Sequence, residues 1–208
     1  MWAVKKPQKK VTTLLRRFGK TGIEVGCDEA GRGCLAGPVV AGAAIIPPGK
    51  NFTFLNDSKQ LSEKQREEAA EILKNELEYW AVGLLDHERI DEINILNASF
   101  EAMHVALDQI PTSFDLILVD GNRFKAYRDV AHECIIKGDG KYQSIAAASI
   151  LAKTHRDHLM RSYHEQYPYY GWNTNMGYPT VKHRKAIREH GTSPIHRMTF
   201  NLLGNLEK

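Results

Sequence analysis

The sequence predicts an α/β fold built around a mixed β-sheet. Short apolar segments of strand length alternate with longer segments whose apolar residues recur at helical spacing, a pattern typical of sheets flanked by helices. Two strand-like segments follow each other early in the chain without an intervening helix, which indicates a mixed sheet rather than a purely parallel one. The 208 residues, 42% hydrophobic and 25% charged, are typical of a globular domain and exclude fibrous and wholly disordered proteins.

Four elements are expected in the first half of the chain. Ile23–Asp28 alternates weakly and runs into a glycine-rich turn, so it is predicted to be a strand. Pro38–Ile46 is a small-residue apolar run of strand length that ends at two prolines. Ser62 and Gln65 form a capping-box pattern ahead of a helical segment. Tyr79–Leu85 is predicted to be the next strand.

The second half contributes three helices and two strands. Asn94–Gln109 has helical spacing and stops before a proline, and Asp115–Asp120 is a short apolar strand that ends in an acid. His132–Lys137 is a further candidate strand. Tyr142–Tyr167 is the longest helical stretch, and its small residues favour close packing on a sheet. Val181–His190 completes a short helical C-terminal region.

Charge is distributed unevenly along the chain. The net charge is only +3, but residues 1–20 carry seven basic residues and no acid. Residues 21–120 have a net charge of −11, and residues 121–208 have a net charge of +7. We therefore predict a mobile basic arm over residues 1–20 and one domain over residues 21–208. Such asymmetry indicates a nucleic-acid partner, although solvated helix faces would also account for it.

The cysteines and the hydropathy pattern predict a cytoplasmic protein. Cys27, Cys34 and Cys134 are odd in number and form no C-x-x-C pair, which favours reduced thiols over disulfides or a zinc site. No apolar run approaches the roughly 18 residues of a membrane span, and the basic N-terminus has no signal-peptide core. We expect no membrane association.

Four acids are the candidate catalytic residues. Asp28 and Glu29 stand at the exit of the first strand, and Asp120 ends another strand, where open α/β sheets place functional groups. Asp139 lies between two glycines ahead of the long helix. Neighbouring strand residues point to opposite faces, so Asp28 and Glu29 can meet at one site only if the pleat breaks, which the following Gly31 and Gly33 permit. Each acid taken singly is also explained as a helix cap, a turn former or a solvated loop charge.

Gathered together, these acids would point to divalent cations. Carboxylates at close range repel one another unless a cation neutralises them, and Mg²⁺ binds few carboxylates together with a substrate phosphate. Two such ions about 3.5–4 Å apart can activate a water and stabilise the leaving oxygen of a phosphodiester.

Ten short motifs carry a family resemblance. The segments D-E-A-G-R-G (Asp28–Gly33) and G-P-V-V-A (Gly37–Ala41) closely resemble the signature of ribonuclease HII, the bacterial type 2 ribonuclease H. Further matches follow in family order: Asn56–Leu61, Ile93–Ala98, Val119–Gly121, Lys137–Asp139, Ala147–Lys153, Arg156–Asp157, Gly177–Thr180 and Pro194–Arg197. The resemblance covers residues 22 to 203 and leaves the basic arm outside.

The resemblance implies a ribonuclease H-like fold and an endonuclease that requires Mg²⁺ or Mn²⁺. It implies cleavage of the RNA strand of RNA/DNA hybrids, and of duplex DNA on the 5′ side of single ribonucleotides, leaving a 3′-hydroxyl and a 5′-phosphate. The implied catalytic and metal-binding residues are Asp28, Glu29, Asp120 and Asp139. The implied substrate-binding residues are Gly31, Arg32 and Gly33 at the ribose 2′-hydroxyl, Ser58 and Lys59 at the phosphate backbone, and Tyr178 at the following deoxyribose.

The chain departs from the family pattern in one motif, and two alternative functions are also compatible with the sequence. Many relatives have H-K-G-Y where this chain has Asn175–Met176 before Gly177 and Tyr178, so a basic contact is in question. Another two-metal nuclease of the same fold and a non-catalytic hybrid-binding module are the alternatives. We predict a monomer with no obligate protein partner.

Overall fold

A mixed five-stranded sheet forms the centre of the molecule. The computed structural model describes residues 13–55 and 61–204. The strands are β1 (Glu24–Ala30), β2 (Val39–Ile45), β3 (Trp80–Leu85), β4 (Leu116–Asp120) and β5 (Ala131–Ile135). Their order across the sheet is β3-β2-β1-β4-β5. The β1–β2 and β2–β3 pairs are antiparallel, whereas β1–β4 and β4–β5 are parallel, so the predicted mixed α/β sheet is confirmed.

Helices cover both faces of this sheet. They are α1 (Glu63–Glu76), α2 (His87–Asp108), α3 (Gln143–Gln166), α4 (Trp172–Asn175) and α5 (Val181–His190). The capping box predicted at Ser62 is present, since its side chain accepts a hydrogen bond from the Gln65 backbone, and the Gln65 side chain accepts one in return. α5 matches its predicted span.

Glycines in β1, β2 and β3 let two helices approach the sheet closely. A Cβ at Gly26 or Gly42 would lie 2.3 Å from backbone atoms of α3, at Ser144 and Ala148. A Cβ at Gly83 would lie 2.3 Å from a backbone oxygen of α2. The long helix α3 therefore covers one face of the sheet and α2 covers the other. Even-numbered residues of β1 face α3, and odd-numbered ones face α2.

Two elements differ from the sequence-based expectation. β1 continues through Glu29 and Ala30 rather than ending at Asp28. α2 begins at His87, about two turns before the predicted start, and it is kinked at Asn94, where φ is +66°. The Asn94 side chain accepts hydrogen bonds from the backbone amides of Leu96 and Asn97, so it caps the second part of the helix. The sequence pattern had detected only that second part.

The described part of the basic segment is attached to the domain. Leu14 is buried in the core between α1 and α3. Leu15 pairs with Tyr142 in a β-bridge, and its amide donates to the Lys141 carbonyl at 2.7 Å. Residues 1–12 lie outside the described residues, so a separate mobile arm stays a prediction for them. Among the helices that the structure describes, none is both long enough and apolar enough to span a membrane.

Candidate active site

Strand register brings two of the predicted acids side by side. β1 and β4 run parallel, and their pairing places Cys27 opposite Val119. Asp28 and Asp120 are the next residues on these adjacent strands, so their side chains project from the same face, the one covered by α3. Both residues lie near the carboxyl ends of their strands, where open α/β sheets place their ligand-binding groups.

Asp139 joins them from a short helical turn ahead of α3. A 3₁₀ turn over Gly138–Gly140 carries Asp139, and the Gly138 amide donates to Asp120 Oδ1 at 2.6 Å. A Cβ at Gly138 would lie 2.6 Å from the Ile145 side chain, so glycine lets this turn pack against α3. Asp28, Asp120 and Asp139 each offer a carboxylate oxygen, and these oxygens lie within 4.8 Å of one another.

Burial makes this cluster electrostatically costly. Asp28 and Asp139 are 5% and 2% exposed. Burial, and then the negative charges of Glu29 and Asp120, raise the pKa of Asp28 well above its ordinary value. Hydrogen bonds from Ser149 and from the Glu29 amide, which donates to Asp28 Oδ1 at 2.7 Å, oppose this shift. The site therefore favours a proton or a cation over a third bare negative charge.

Glu29 takes a different position from the one that we expected. The pleat does not break after Asp28, so Glu29 points to the opposite face of β1, towards α2. There its carboxylate pairs with the Arg32 guanidinium at 3.1 Å. Together with Asp120 and Arg32, Glu29 lines an open cleft beside Ser99 of α2. Burial raises the pKa of Glu29, although Arg32 opposes this effect. The structure thus gathers three acids tightly, with Glu29 at the rim.

The packing of the protein requires glycine at the first position of the G-R-G turn but not at the third. Gly31 has a φ of +96°, and a Cβ there would lie 2.1 Å from Nε of the Arg156 guanidinium, so the fold itself requires glycine. A Cβ at Gly33 would meet nothing within 4 Å. Packing within the described structure therefore does not explain glycine at position 33, and the space beside it is open.

Two buried arginines hold the loop that contains this turn. Arg156 donates to the carbonyls of Ala36, Pro38 and Met176, at distances of 2.8 to 3.1 Å. Arg197 donates to the carbonyls of Arg32 and Gly37, at 3.1 and 3.0 Å. Both arginines are fully buried. They take the place of secondary structure for a backbone segment that makes few hydrogen bonds of its own.

Tyr178 stands beside this loop. It is 40% exposed, and its hydroxyl contacts the Cys34 thiol. The ammonium group of Lys153 lies 5.9 Å from the centre of the Tyr178 ring. Met176, at the position where many relatives carry lysine, has a φ of +49° and is buried, 8% exposed. Lys153, rather than residue 176, therefore supplies a cation beside this tyrosine.

Some predicted residues lie outside the described structure, and some important ones were not singled out. Ser58 and Lys59 lie outside the described residues, so their assignment as phosphate contacts stays a prediction. Arg156 and Arg197 were recognised only as parts of matched motifs, without a role. A buried arginine has no periodicity or composition that distinguishes it from a surface arginine, so those motifs were the only signal.

The donor set at the cluster suits a hard divalent cation. Three carboxylates with oxygens at this spacing, two of them buried, provide the oxygen ligands that Mg²⁺ and Mn²⁺ prefer. The residues present therefore fit such ions, with Asp28, Asp120 and Asp139 as the core ligands.

Comparisons with known proteins agree with this geometry. The family model described as Ribonuclease HII matches residues 25–203. Ribonuclease HII of Phocaeicola vulgatus is 62% identical over 191 residues, 92% of this chain and 95% of that protein. Ribonuclease HII of Porphyromonas gingivalis is 54% identical and covers 85% of this chain and 88% of its own length.

Solved structures resemble the fold as well. The ribonuclease H2 of Pyrococcus horikoshii superposes with a TM-score of 0.73 at 29% identity, covering 87% of this chain and 95% of that one. Bst-RNase HIII, solved in complex with Mn²⁺, gives a TM-score of 0.68 at 18% identity, covering 93% of this chain and 69% of that one, and so shows the shared ribonuclease H-like fold alone. With the family matched over nearly the whole chain and three acids gathered at the ends of two parallel strands, this chain belongs to the ribonuclease HII family and is a ribonuclease H.

Proposed function

We propose that the protein hydrolyses the RNA strand of RNA/DNA hybrids and cuts duplex DNA on the 5′ side of single embedded ribonucleotides. The products are a 3′-hydroxyl and a 5′-phosphate. The observation that carries this proposal is a cluster of three aspartates, from β1, β4 and the turn before α3, next to an open glycine turn that directly follows β1. Phosphodiester chemistry and sugar recognition would then take place within a few residues of each other.

The acids are proposed to hold two divalent cations, Mg²⁺ or Mn²⁺. Asp28, Asp120 and Asp139 would form the core of the site, with Glu29 approaching from the rim. When bound, such ions supply an activated water and neutralise charge on the leaving oxygen. The raised pKa of Asp28 supports this assignment, because a buried carboxylate with like-charged neighbours gains most from a cation.

The turn beside β1 is proposed to recognise the ribose. Among the described residues, a Cβ at Gly33 would meet no atom within 4 Å other than its chain neighbours, so a sugar could approach the backbone there and present its 2′-hydroxyl. Arg156 and Arg197 would keep this backbone in place, since their hydrogen bonds end on its carbonyls. Discrimination between RNA and DNA would thus depend on main-chain atoms that side-chain substitutions cannot remove directly.

Tyr178 is proposed to contact the deoxyribose that follows the ribonucleotide. Its ring is partly exposed and lies next to Cys34. Cys34 belongs to residues 31–38, the segment that contains the G-R-G turn and that we call the ribose-reading loop. Lys153 near the ring could face the adjoining phosphate, and Ser58 and Lys59 are proposed to contact the phosphate backbone. The basic residues before position 13 are proposed to add salt-sensitive, sequence-independent affinity. The protein is proposed to act as a monomer.

Three duplexes test this function in one experiment. The substrates are a DNA duplex with one embedded ribonucleotide, an RNA/DNA hybrid and an all-DNA duplex, each offered with Mg²⁺, with Mn²⁺ and with EDTA. We expect cleavage of the first two substrates with metal only, and none of the third. Cleavage of all-DNA duplex would indicate another two-metal nuclease. Binding without cleavage at any metal concentration would indicate a hybrid-binding module.

A further inference from the structure

A chain of buried side chains connects the C-terminal region to Tyr178. His183, in the first turn of α5, contacts the Tyr178 carbonyl through Nδ1 at 2.9 Å. Its other ring nitrogen, Nε2, receives the Trp172 indole N–H at 3.0 Å and lies 3.2 Å from Nε2 of His196. The Ser193 amide donates to Nδ1 of His196 at 2.9 Å. Both imidazoles and the indole are at most 1% exposed.

Three hydrogen-bonding partners of these two rings can only donate or only accept, and together they determine both tautomers. A carbonyl only accepts, so His183 must carry its proton on Nδ1. An indole N–H only donates, so Nε2 of His183 must be bare, which agrees with the first requirement. A backbone amide only donates, so Nδ1 of His196 is bare and its proton is on Nε2. At their mutual contact His196 therefore donates and His183 accepts.

This arrangement requires both rings to be neutral. A proton added to Nε2 of His183 would face two donors in a buried site. Burial lowers the pKa of both imidazoles, and His183 lowers that of its neighbour further, to about 4 for His196. His183 therefore keeps a single donor, permanently directed at the Tyr178 carbonyl.

The Tyr178 backbone needs such a support because the residues before it form a tight turn. Met176 and Gly177 have φ values of +49° and +81°. The Gly177 carbonyl accepts from the Leu35 amide at 2.8 Å, which ties the turn to the ribose-reading loop. The Tyr178 carbonyl receives two donors, the Thr180 amide at 2.8 Å and His183. Of these two, only His183 is anchored in the buried C-terminal core.

We propose that His183 is a positioning residue that sets Tyr178 against the substrate, with its tautomer dictated by Trp172, His196 and Ser193. The inference rests on the proposed role of Tyr178 and extends it. His183 touches no reacting atom in this scheme. It acts by fixing the carbonyl of Tyr178, whose amide donates to the Asn175 carbonyl at 2.8 Å and whose hydroxyl contacts Cys34.

Two substitutions of His183 each retain the contacts of only one ring nitrogen. The amide of His183→Asn can occupy the position of Nδ1 and keep the bond to the Tyr178 carbonyl. The amide of His183→Gln can occupy the position of Nε2, which keeps the contact with Trp172 and leaves the carbonyl with one donor. On the single-ribonucleotide duplex we expect kcat/KM to fall about tenfold for His183→Gln, as for one lost hydrogen bond, and less than threefold for His183→Asn.

A double-mutant cycle tests whether the effect passes through Tyr178. In a Tyr178→Ala background, His183→Gln should cost less than about twofold, because the ring that it positions is gone. Tyr170→Phe serves as the matched control, since it removes a hydrogen bond to the Gly191 carbonyl within the same packed cluster. It should lower thermal stability without changing the ratio of activities on the embedded ribonucleotide and on the long hybrid.

A spectroscopic measurement on the wild-type protein is independent of activity and of whether variants fold. Long-range ¹H–¹⁵N correlation spectra at pH 7 should show the Nδ1–H tautomer for His183 and the Nε2–H tautomer for His196. A charged or Nε2–H His183, or an undiminished His183→Gln effect in the Tyr178→Ala background, would overturn the inference. If Tyr178→Ala itself cleaves like wild type, the inference falls while the nuclease function stands. If the wild-type protein cleaves neither ribonucleotide substrate, the proposed function falls.

Discussion

Replacing Asp28 with asparagine should abolish cleavage while making the metal-free protein more stable. The substitution keeps the shape of the side chain and an oxygen that can accept from the Glu29 amide. It removes one negative charge from a cluster whose oxygens lie within 4.8 Å of one another. The new amide N–H₂ can also donate to the Asp120 or Asp139 carboxylate, which turns a repulsion into a hydrogen bond.

The gain in stability follows from the spacing of the charges. Two unit charges 4.8 Å apart repel by about 3 kcal/mol at an effective dielectric constant of about 20. Burial and like-charged neighbours raise the pKa of Asp28, and the substitution relieves at least one such repulsive pair. For a domain of this length about 3 kcal/mol corresponds to a rise in Tm of roughly 6–12 °C.

The pH dependence of this gain has a defined sign. A carboxyl group whose pKa is raised by folding stabilises the protein at low pH, and that stabilisation is lost as the pH rises through the folded-state pKa. The wild-type protein therefore loses stability towards neutral pH, and Asp28→Asn loses less because it lacks this carboxyl group. The difference in Tm should be small at pH 5 and large at pH 8.

The assay combines thermal unfolding with cleavage of the single-ribonucleotide duplex. In EDTA at pH 8 the variant should unfold at the higher temperature, and added Mg²⁺ should stabilise the wild type by about 1.4 kcal/mol at ten times the Kd and the variant by less. Cleavage should fall at least 1000-fold, with hybrid binding retained. Near-wild-type cleavage by Asp28→Asn, or a lower Tm than wild type in EDTA at pH 8, would refute the reasoning.

Three further predictions address recognition and stability. Gly33→Ala should leave Tm nearly unchanged, because its Cβ would meet no protein atom within 4 Å, yet cut activity on ribonucleotide substrates at least tenfold; a fully active variant would show that no sugar approaches there. Tyr178→Ala should lower kcat/KM on the embedded ribonucleotide at least tenfold without a matching loss of Tm, and equal activity on that substrate would count against its role. Burial lowers the pKa of His196 from 6.5 to about 4, so the unfolded state binds the proton more readily and stability should fall by about 3 kcal/mol between pH 7 and pH 4. Thermal unfolding of the wild type and of His196→Gln over this pH range measures this loss as a difference, and parallel profiles would contradict it.

The strands and the long helix could be predicted because local signals determine them. The apolar run at β2, the capping box at Ser62 and the small-residue helix α3 all reflect burial and hydrogen bonding within a few residues. The start of α2 was missed because Asn94 interrupts the helical spacing, and only its side-chain cap shows that two helical segments are joined there.

The site could be predicted only in part, because its geometry depends on pairing between distant strands. Position at strand ends identified Asp28 and Asp120, and the parallel register of β1 and β4 explains why they meet. The same regular pleat that aligns them sends Glu29 to the other face, contrary to our expectation. No local pattern reveals whether a strand stays regular up to the glycine-rich turn that follows it. In β1 this depends on the partner strand β2, which pairs with Ala30.

Because Asp28 and Glu29 are neighbours on a regular strand, they point to opposite faces of the sheet and are held by different partners. Asp28 faces α3 and accepts hydrogen bonds from Ser149 and the Glu29 amide, whereas Glu29 faces α2 and is held by a partly exposed ion pair to Arg32. A partly exposed pair contributes little stability, so exchanging Arg32 for substrate contacts would free Glu29 at small cost. Arg32 belongs to the same turn that is proposed to meet the ribose. A ribonucleotide at this turn would therefore compete with Glu29 for Arg32, which is the described ion-pair partner of that carboxylate.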